Sequence, residues 1–506
     1  MKKYEWTLFS IFFLTITACH DKTSSIGAKS ITVAELRDHV FYLASDSLLG
    51  RMTGTPEFNQ AAYYTISQFQ QAGLYPGYTT PSGNVSYIQP VLIDKCSYNE
   101  SKTIIELSIN GKEYSKIIGR EFIMQIGRKL DSLTLKGDVA FVGYGIKEPI
   151  YGWNDYKDID TKNKWVIFIN SIPDSILNYL PDSIAQQYRF LPDREKKRIN
   201  TALESGAIGT ISILPKSNYS EWNLISSQWK ETYLNDPWMY YECDNILIDT
   251  ATIKLLFKDQ LFDPLNLSGK YCTFNLINTN ITFRKDLIIS NTSTSNVLAL
   301  IEGTDQELYN EIITIGAHLD HLGVVGDSIY NGADDNASGC AAILEIAEAL
   351  IHSKPKRTIL FLLYGGEEVG FLGSNYFVHH PTFPIENIKV NLNLDIMGRI
   401  DGDAKDLSVI GADRINSNLK DRIITVNNRT EHLLLDFPIS RMINSSDHYP
   451  FYLMGIPSVL FTTGEHKDYH TPADDPAKID YDFFQKNCRL IYEIVLNMAN
   501  GDSNIY

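Results

Sequence analysis

Between residues 311 and 470 of this 506-residue chain, four apolar runs each lead directly into side chains able to ligate a metal. The run "EIITIG" leads into "AHLDHLG", with His318, Asp320 and His321, and "TILFLLYG" leads into Glu367 and Glu368. "IKVNLNLD" ends on Asp395, and "IPSVLF" leads to "EHKDYHTPADD", with His466 and His470. After the first run comes "NGADDNASG", with Asp334 and Asp335, and then a helical stretch over about 337–353. Continuous apolar strands interleaved with helices predict an α/β domain whose central sheet is mixed, mostly parallel and flanked by helices. Ligands of such sheets bind beyond the carboxyl ends of the strands, so these polar residues gather on one edge.

Two imidazoles with three or four carboxylates suit zinc, with manganese or cobalt as oxygen-tolerant alternatives. Two ions about 3.5–4 Å apart, bridged by one carboxylate, would activate a water and polarise a carbonyl. In an extended loop the adjacent Glu367 and Glu368 diverge, so one can ligate while its neighbour serves as general base. Singly, His318 reads equally well as a hydrogen-bonded core histidine and Glu367–Glu368 as a solvated loop tip. Four such strand ends and the connection carrying Asp334 and Asp335 together single out a metal centre. Histidine is absent from 40 through 317, and nine of the eleven lie at 318 or later, which puts imidazole chemistry in this part of the chain.

Upstream, helical patterns run from Thr32 through Ala44 and from Phe58 through Ala72, the second stopping at Gly73. Between them lies the turn-rich "DSLLGRMTGTPE". From about 115 to 285 the character changes: short strands, no histidine, and all five tryptophans beyond Trp6, which predicts a separate non-catalytic domain. Residues 1–18 have the basic start, apolar stretch and small residues of an export signal, too short to span a membrane. Its end, "ITAC", resembles the bacterial lipobox, so Cys19 is expected to carry lipid and anchor an exported protein to a bacterial membrane, on the periplasmic or cell-surface side. The alternative is an ordinary cleaved signal. The six cysteines show no CxxC pair, and with Cys19 lipidated at least one thiol stays unpaired. A net charge of −16 without a basic stripe argues against nucleic acid as a partner.

The series "GAHLDHLG", "NGADDNASGCAAILEIAEAL", "LLYGGEEVGFLGS", "NLDIMGR" and "DYHTPADDPAKID" resembles the M28 family of di-zinc exopeptidases, which includes bacterial aminopeptidases and glutamate carboxypeptidase-like enzymes. The resemblance implies a zinc exopeptidase fold made of residues 30–114 and 286–506. "GDVAFVGYGI" and "NTALESGAIGTISI" look like parts of the β-rich protease-associated domain inserted in this family, here 115–285. By motif, His318 and Asp395 would hold one zinc ion, Glu368 and His470 the other, and Asp335 rather than Asp334 would bridge them. Glu367 would be the general base, and the Asp320 carboxylate would accept the second ring N–H of His318. The peptide Asp335–Asn336 is expected to be cis. His321 is left a structural loop role, His466 yields to His470, and Cys340 is read as core. His448, beside Ser446 and Asp447, falls near the family's substrate pocket, and without a GxSxG elbow no serine triad is expected. The implied activity is aminopeptidase action on peptides. Alternatives are a carboxypeptidase using Arg399 or Arg441, a one-zinc glutaminyl cyclase, and a non-catalytic, lipid-anchored peptide-binding protein.

Overall fold

The computed structural model describes residues 25–127, 130–189, 193–228, 231–234, 243–260, 262–266, 273–400, 406–412, 417–438 and 445–501. The expected export signal over residues 1–18, Cys19 and Arg441 lie outside the described residues. Both upstream helices start and stop where local chemistry dictates. Thr32 caps Val33–Leu43 by accepting the Glu35 N–H. Thr55 caps Pro56–Ala72, Pro56 sits in the first turn where its missing N–H costs nothing, and Gly73 ends the helix at φ 86°.

The part of the chain that carries the candidate ligands is built on one mixed sheet. Ile312–His318 lies between Thr358–Tyr364 and Ile388–Leu394, and Ser458–Thr462 follows, all four parallel. Phe274–Ile301 joins one side antiparallel, and Asp406–Ile410 joins the other antiparallel. Three of the four central strands are buried along their whole length and the fourth, Ile388–Leu394, everywhere but at Lys389, as the apolar runs require. One face packs on Val33–Leu43, Pro56–Ala72, Gly339–Ile351 and Tyr481–Asn500. The other is covered by Leu372–His379 and His448–Leu453, through Phe377, Val378 and Phe451. The sheet is therefore covered on both faces, which leaves its strand ends as the place for polar chemistry. Those ends are in register, with His318 opposite Tyr364 and Leu394 opposite Phe461.

A second core forms between Cys96 and Leu287, with Trp165, Phe141, Phe283 and Ile246 fully buried. Its strands Ser132–Phe141, Trp165–Ile169, Gly209–Ile213 and Asn245–Ile248 are parallel. Trp165 donates its indole N–H to the Ile281 carbonyl and Trp222 to the Arg120 carbonyl, so both serve as core anchors. Cys96, Tyr98, Ile105, Leu107 and Ile109 belong to this core, so it begins upstream of residue 115, where residue composition changes. The cause is the strand Phe274–Ile301: 28 residues without glycine or proline, it pairs with Ile104–Ile109 in one core and Thr358–Tyr364 in the other. Composition registers residue types and misses such pairing. Cys96, Cys243, Cys340 and Cys488 are buried. Among the described residues no helix is long and apolar enough to cross a membrane.

Candidate metal centre

His318 is the last residue of its strand, two positions beyond the end of the apolar run. Its Nδ1–H donates to the Asp320 backbone carbonyl at 3.1 Å, which leaves Nε2 facing Asp335 Oδ1 and Asp395 Oδ1, each at 3.2 Å. His470 Nε2 lies 3.1 Å from the other Asp335 oxygen, Oδ2, and 3.1 Å from Glu368 Oε2. Asp335 thus stands at the centre, with one oxygen turned to each of two trios. Glu367 sits on the rim, its carboxylate within 4.8 Å of His318 and Glu368 donor atoms.

The strand ends bring most of these groups here, but Asp335 needs special backbone. Gly332 adopts φ 57°, and a Cβ there would lie 2.2 Å from the Asp335 carbonyl, so only glycine fits. The Asp335–Asn336 peptide is cis, as the resemblance implied. The buried Asp474 carboxylate accepts the N–H groups of Asp334 and Asp335 at 3.0–3.1 Å, tying this turn to the loop of His470.

The donor set fits divalent cations. The nitrogen–oxygen separations of 3.1–3.2 Å approach the ~3.3 Å edge of a tetrahedron with metal bonds of about 2.0–2.1 Å. Asp335, Glu367, Glu368 and Asp395 bring four carboxylates together, and the three imidazoles of His318, His321 and His470 could not neutralise all of that charge. Burial and the neighbouring Glu368 and Asp395 push the Glu367 carboxyl well above the usual range, although His318 opposes this. Against burial, hydrogen bonds to Asp335 and Glu368 raise His470 to about 10. His470 therefore carries a proton at neutral pH until a metal displaces it. Zinc affinity should accordingly rise with pH, by about tenfold per unit between pH 6 and 8 for each proton released. Calorimetry in buffers of different ionisation enthalpy reads that release; an affinity flat across the range contradicts this assignment.

The structure revises the expected role of Asp320. The Asp320 carboxylate does not meet the His318 ring; its own backbone carbonyl does, because the loop turns the side chain away. The carboxylate instead accepts the Thr53 hydroxyl at 2.7 Å and the Glu367 N–H at 3.1 Å. His321, read in a structural or loop role, is buried with Nδ1 2.7 Å from Glu368 Oε1 and 3.8 Å from Asp335 Oδ2. Its spacing three residues after His318 was the available signal. His466 lies away from the trios, with Nε2 3.6 Å from Asp334 Oδ2. Asp334, pushed up to about 7 by burial and Asp474, accepts the Gly398 N–H. Cys340 is buried, its thiol pushed up to about 12 by desolvation, which suits core and not nucleophile. Asp447 accepts the Ser374 hydroxyl while Ser446 accepts from Asn393, so no serine triad forms. Arg399 is engaged by Asp468 at 2.9 Å.

Residues 296–495 match Peptidase family M28. The chain is 31% identical to Aminopeptidase YwaD of Bacillus subtilis over 183 residues, 35% of this chain and 38% of that protein. It is 24% identical to Aminopeptidase Y of Saccharomyces cerevisiae, over 44% of this chain and 42% of that one. The matches thus span less than half the length of these curated relatives. Among solved structures, an aminopeptidase from Aneurinibacillus sp. strain AM-1 superposes with a TM-score of 0.59 at 19% identity, covering 96% of this chain and 98% of that one. The zinc aminopeptidase BSAP from Bacillus subtilis gives 0.50 at 18% identity, covering 94% and 96%. At these identities the likeness is one of fold.

Proposed function

With residues 296–495 a domain of peptidase family M28, we propose that the chain is a metal-dependent aminopeptidase that removes N-terminal residues from peptides. The observation that carries this reading is the division of Asp335 between two His/carboxylate trios with Glu367 beside them. His318, Asp335 and Asp395 would hold one ion and His470, Asp335 and Glu368 the other, zinc by donor type, with manganese or cobalt as substitutes. When bound, two such ions supply a Lewis acid for the peptide carbonyl and acidify a water.

The remaining work falls to the protein. A Glu367 carboxylate oxygen takes a proton from the attacking water and delivers it to the nitrogen of the leaving amine. The Asp320 carboxylate holds the Glu367 backbone, so that this oxygen stays over the site. The acidic surroundings favour a substrate's free α-ammonium over a terminal carboxylate. A carboxypeptidase would need an unengaged cation at the site, and Arg399 already pairs with Asp468. The second core is read as the inserted protease-associated domain, and the export signal with lipidated Cys19 as the means of attachment to a bacterial membrane.

The test compares aminoacyl-p-nitroanilides with their N-acetylated counterparts. The reading predicts turnover of the free amine and a loss of more than about 100-fold on blocking, the factor expected when a charge-assisted contact of about 3 kcal/mol is lost. Equal turnover of both would contradict it.

A further inference from the structure

The segment Asp46–Arg51 and the residues just after it supply no ligand, yet they reach the metal centre from three directions. Leu49, Gly50 and Arg51 have φ of 41°, 70° and 50°, three left-handed residues in succession, a conformation costly for the two that carry side chains. At Gly50 a Cβ would lie 2.3 Å from the Tyr330 carbonyl, so the turn is pressed against the hairpin that follows His321. This backbone sends the Arg51 side chain inward, where it is 1% exposed.

The buried guanidinium meets carbonyls from three segments. Nε donates to Leu319 at 2.9 Å, Nη1 to Leu43 at 2.5 Å and Asn331 at 2.6 Å, and Nη2 to Gly332 at 3.1 Å. Leu319 follows His318, and Asn331 and Gly332 open the turn that carries Asp335. Two residues on, the Thr53 hydroxyl donates to Asp320 Oδ2, whose partner Oδ1 accepts the Glu367 N–H. The Arg51 carbonyl accepts the His321 N–H at 3.4 Å, and Met52 pairs with His321. Buried Asp320, Asp335 and Asp474 offset the guanidinium charge through space.

We propose that Arg51 is a positioning residue of the metal centre, its planar fork setting the separation between the loop of His318 and the turn of Asp335, while Thr53 acts through Asp320 on Glu367. This rests on the functional reading above. A lysine keeps the charge but cannot present donors in fixed directions to four carbonyls.

The experiment uses the full chain with Arg51→Lys and Thr53→Val. Four quantities are measured for each: zinc dissociation constants by competition with a chromophoric chelator, the visible spectrum of the cobalt-substituted protein, the melting temperature without metal, and kcat and KM on an aminoacyl-p-nitroanilide. Arg51→Lys should bind at least one zinc about 10–100-fold more weakly, the size typical of outer partners of a metal site, with a changed cobalt spectrum. Thr53→Val should keep both ions and lose about tenfold in kcat at unchanged KM, since it disturbs only the base's support. A folded Arg51→Lys with a lower melting temperature but wild-type zinc constants and cobalt spectrum overturns the proposal. If Arg51→Lys does not fold, Arg51→Gln, which keeps a planar donor group, is measured in its place with the same overturning result, and Thr53→Val tests its own half: wild-type kcat overturns the role given to Thr53. The unmodified chain, measured alongside, separates the two levels. Failure of that chain to bind zinc refutes the functional reading and this inference together, whereas normal binding with unaffected variants refutes only the inference.

Discussion

Glu367→Gln lowers kcat by about 10²–10⁴-fold while zinc content and melting temperature stay at wild-type values, because the amide keeps the shape of the side chain and loses only its ability to accept a proton. The structure makes this separation possible. Glu367 sits beside both trios without being the central carboxylate of either, and its backbone N–H, which the substitution leaves intact, is held by Asp320. A second readout is the pH profile. In the wild type the acid limb of kcat/KM should report protonation of this carboxyl, whose environment of burial, Glu368 and Asp395 favours the protonated form. Stability of the proton-loaded form below its folded pKa and its loss above give an activity that rises with pH. That limb should vanish in Glu367→Gln. Retention of full activity would leave the mechanism without a base. The neighbouring Glu368 behaves differently, since its oxygens face His321 and His470, and its replacement should cost metal as well as rate.

Asp335→Asn is the more drastic change and strikes binding first. One carboxylate lies 3.2 Å from His318 through Oδ1 and 3.1 Å from His470 through Oδ2, so both trios lose their shared negative oxygen together. The amide is isosteric, and Asp474 accepts the backbone N–H of residue 335 without touching its side chain, which preserves the turn. The expected outcome is loss of at least one ion per chain, with affinity down by more than about 100-fold, beyond the usual cost for an outer partner. Activity should fall below detection at metal concentrations that saturate the wild type. Asp334→Asn is the matched control. Asp334 turns its carboxylate to the Gly398 N–H, so its replacement should leave the metal count at the wild-type value. Equal metal loss in both variants would contradict the assignment of Asp335 as the shared ligand.

Much of this centre was legible in the sequence because strand ends are visible as the ends of apolar runs. His318, Glu367, Glu368 and Asp395 each follow such an end, and the in-register sheet converts those sequence positions into one edge. The helix stop at Gly73 was legible for a similar reason, since the left-handed stop is local chemistry, whereas the start read at Phe58 falls two residues after the Pro56 start that Thr55 caps. What depends on the path of a loop was not. Whether the Asp320 carbonyl or its carboxylate meets His318 is decided by a few backbone angles after the strand. Arg51 sits in a turn-rich stretch 268 residues from the carbonyl it supports, and nothing in its own neighbourhood marks that reach. The limits of the second core were hidden as well, because one unbroken strand, Phe274–Ile301, serves both cores.

Zinc titration of the metal-free protein, with aminoacyl-p-nitroanilide turnover followed at each addition, tests the central claim most directly. The account predicts binding that saturates at two ions per chain and turnover that appears as the site fills. Saturation at one ion or none, with no turnover at any zinc concentration, would contradict it.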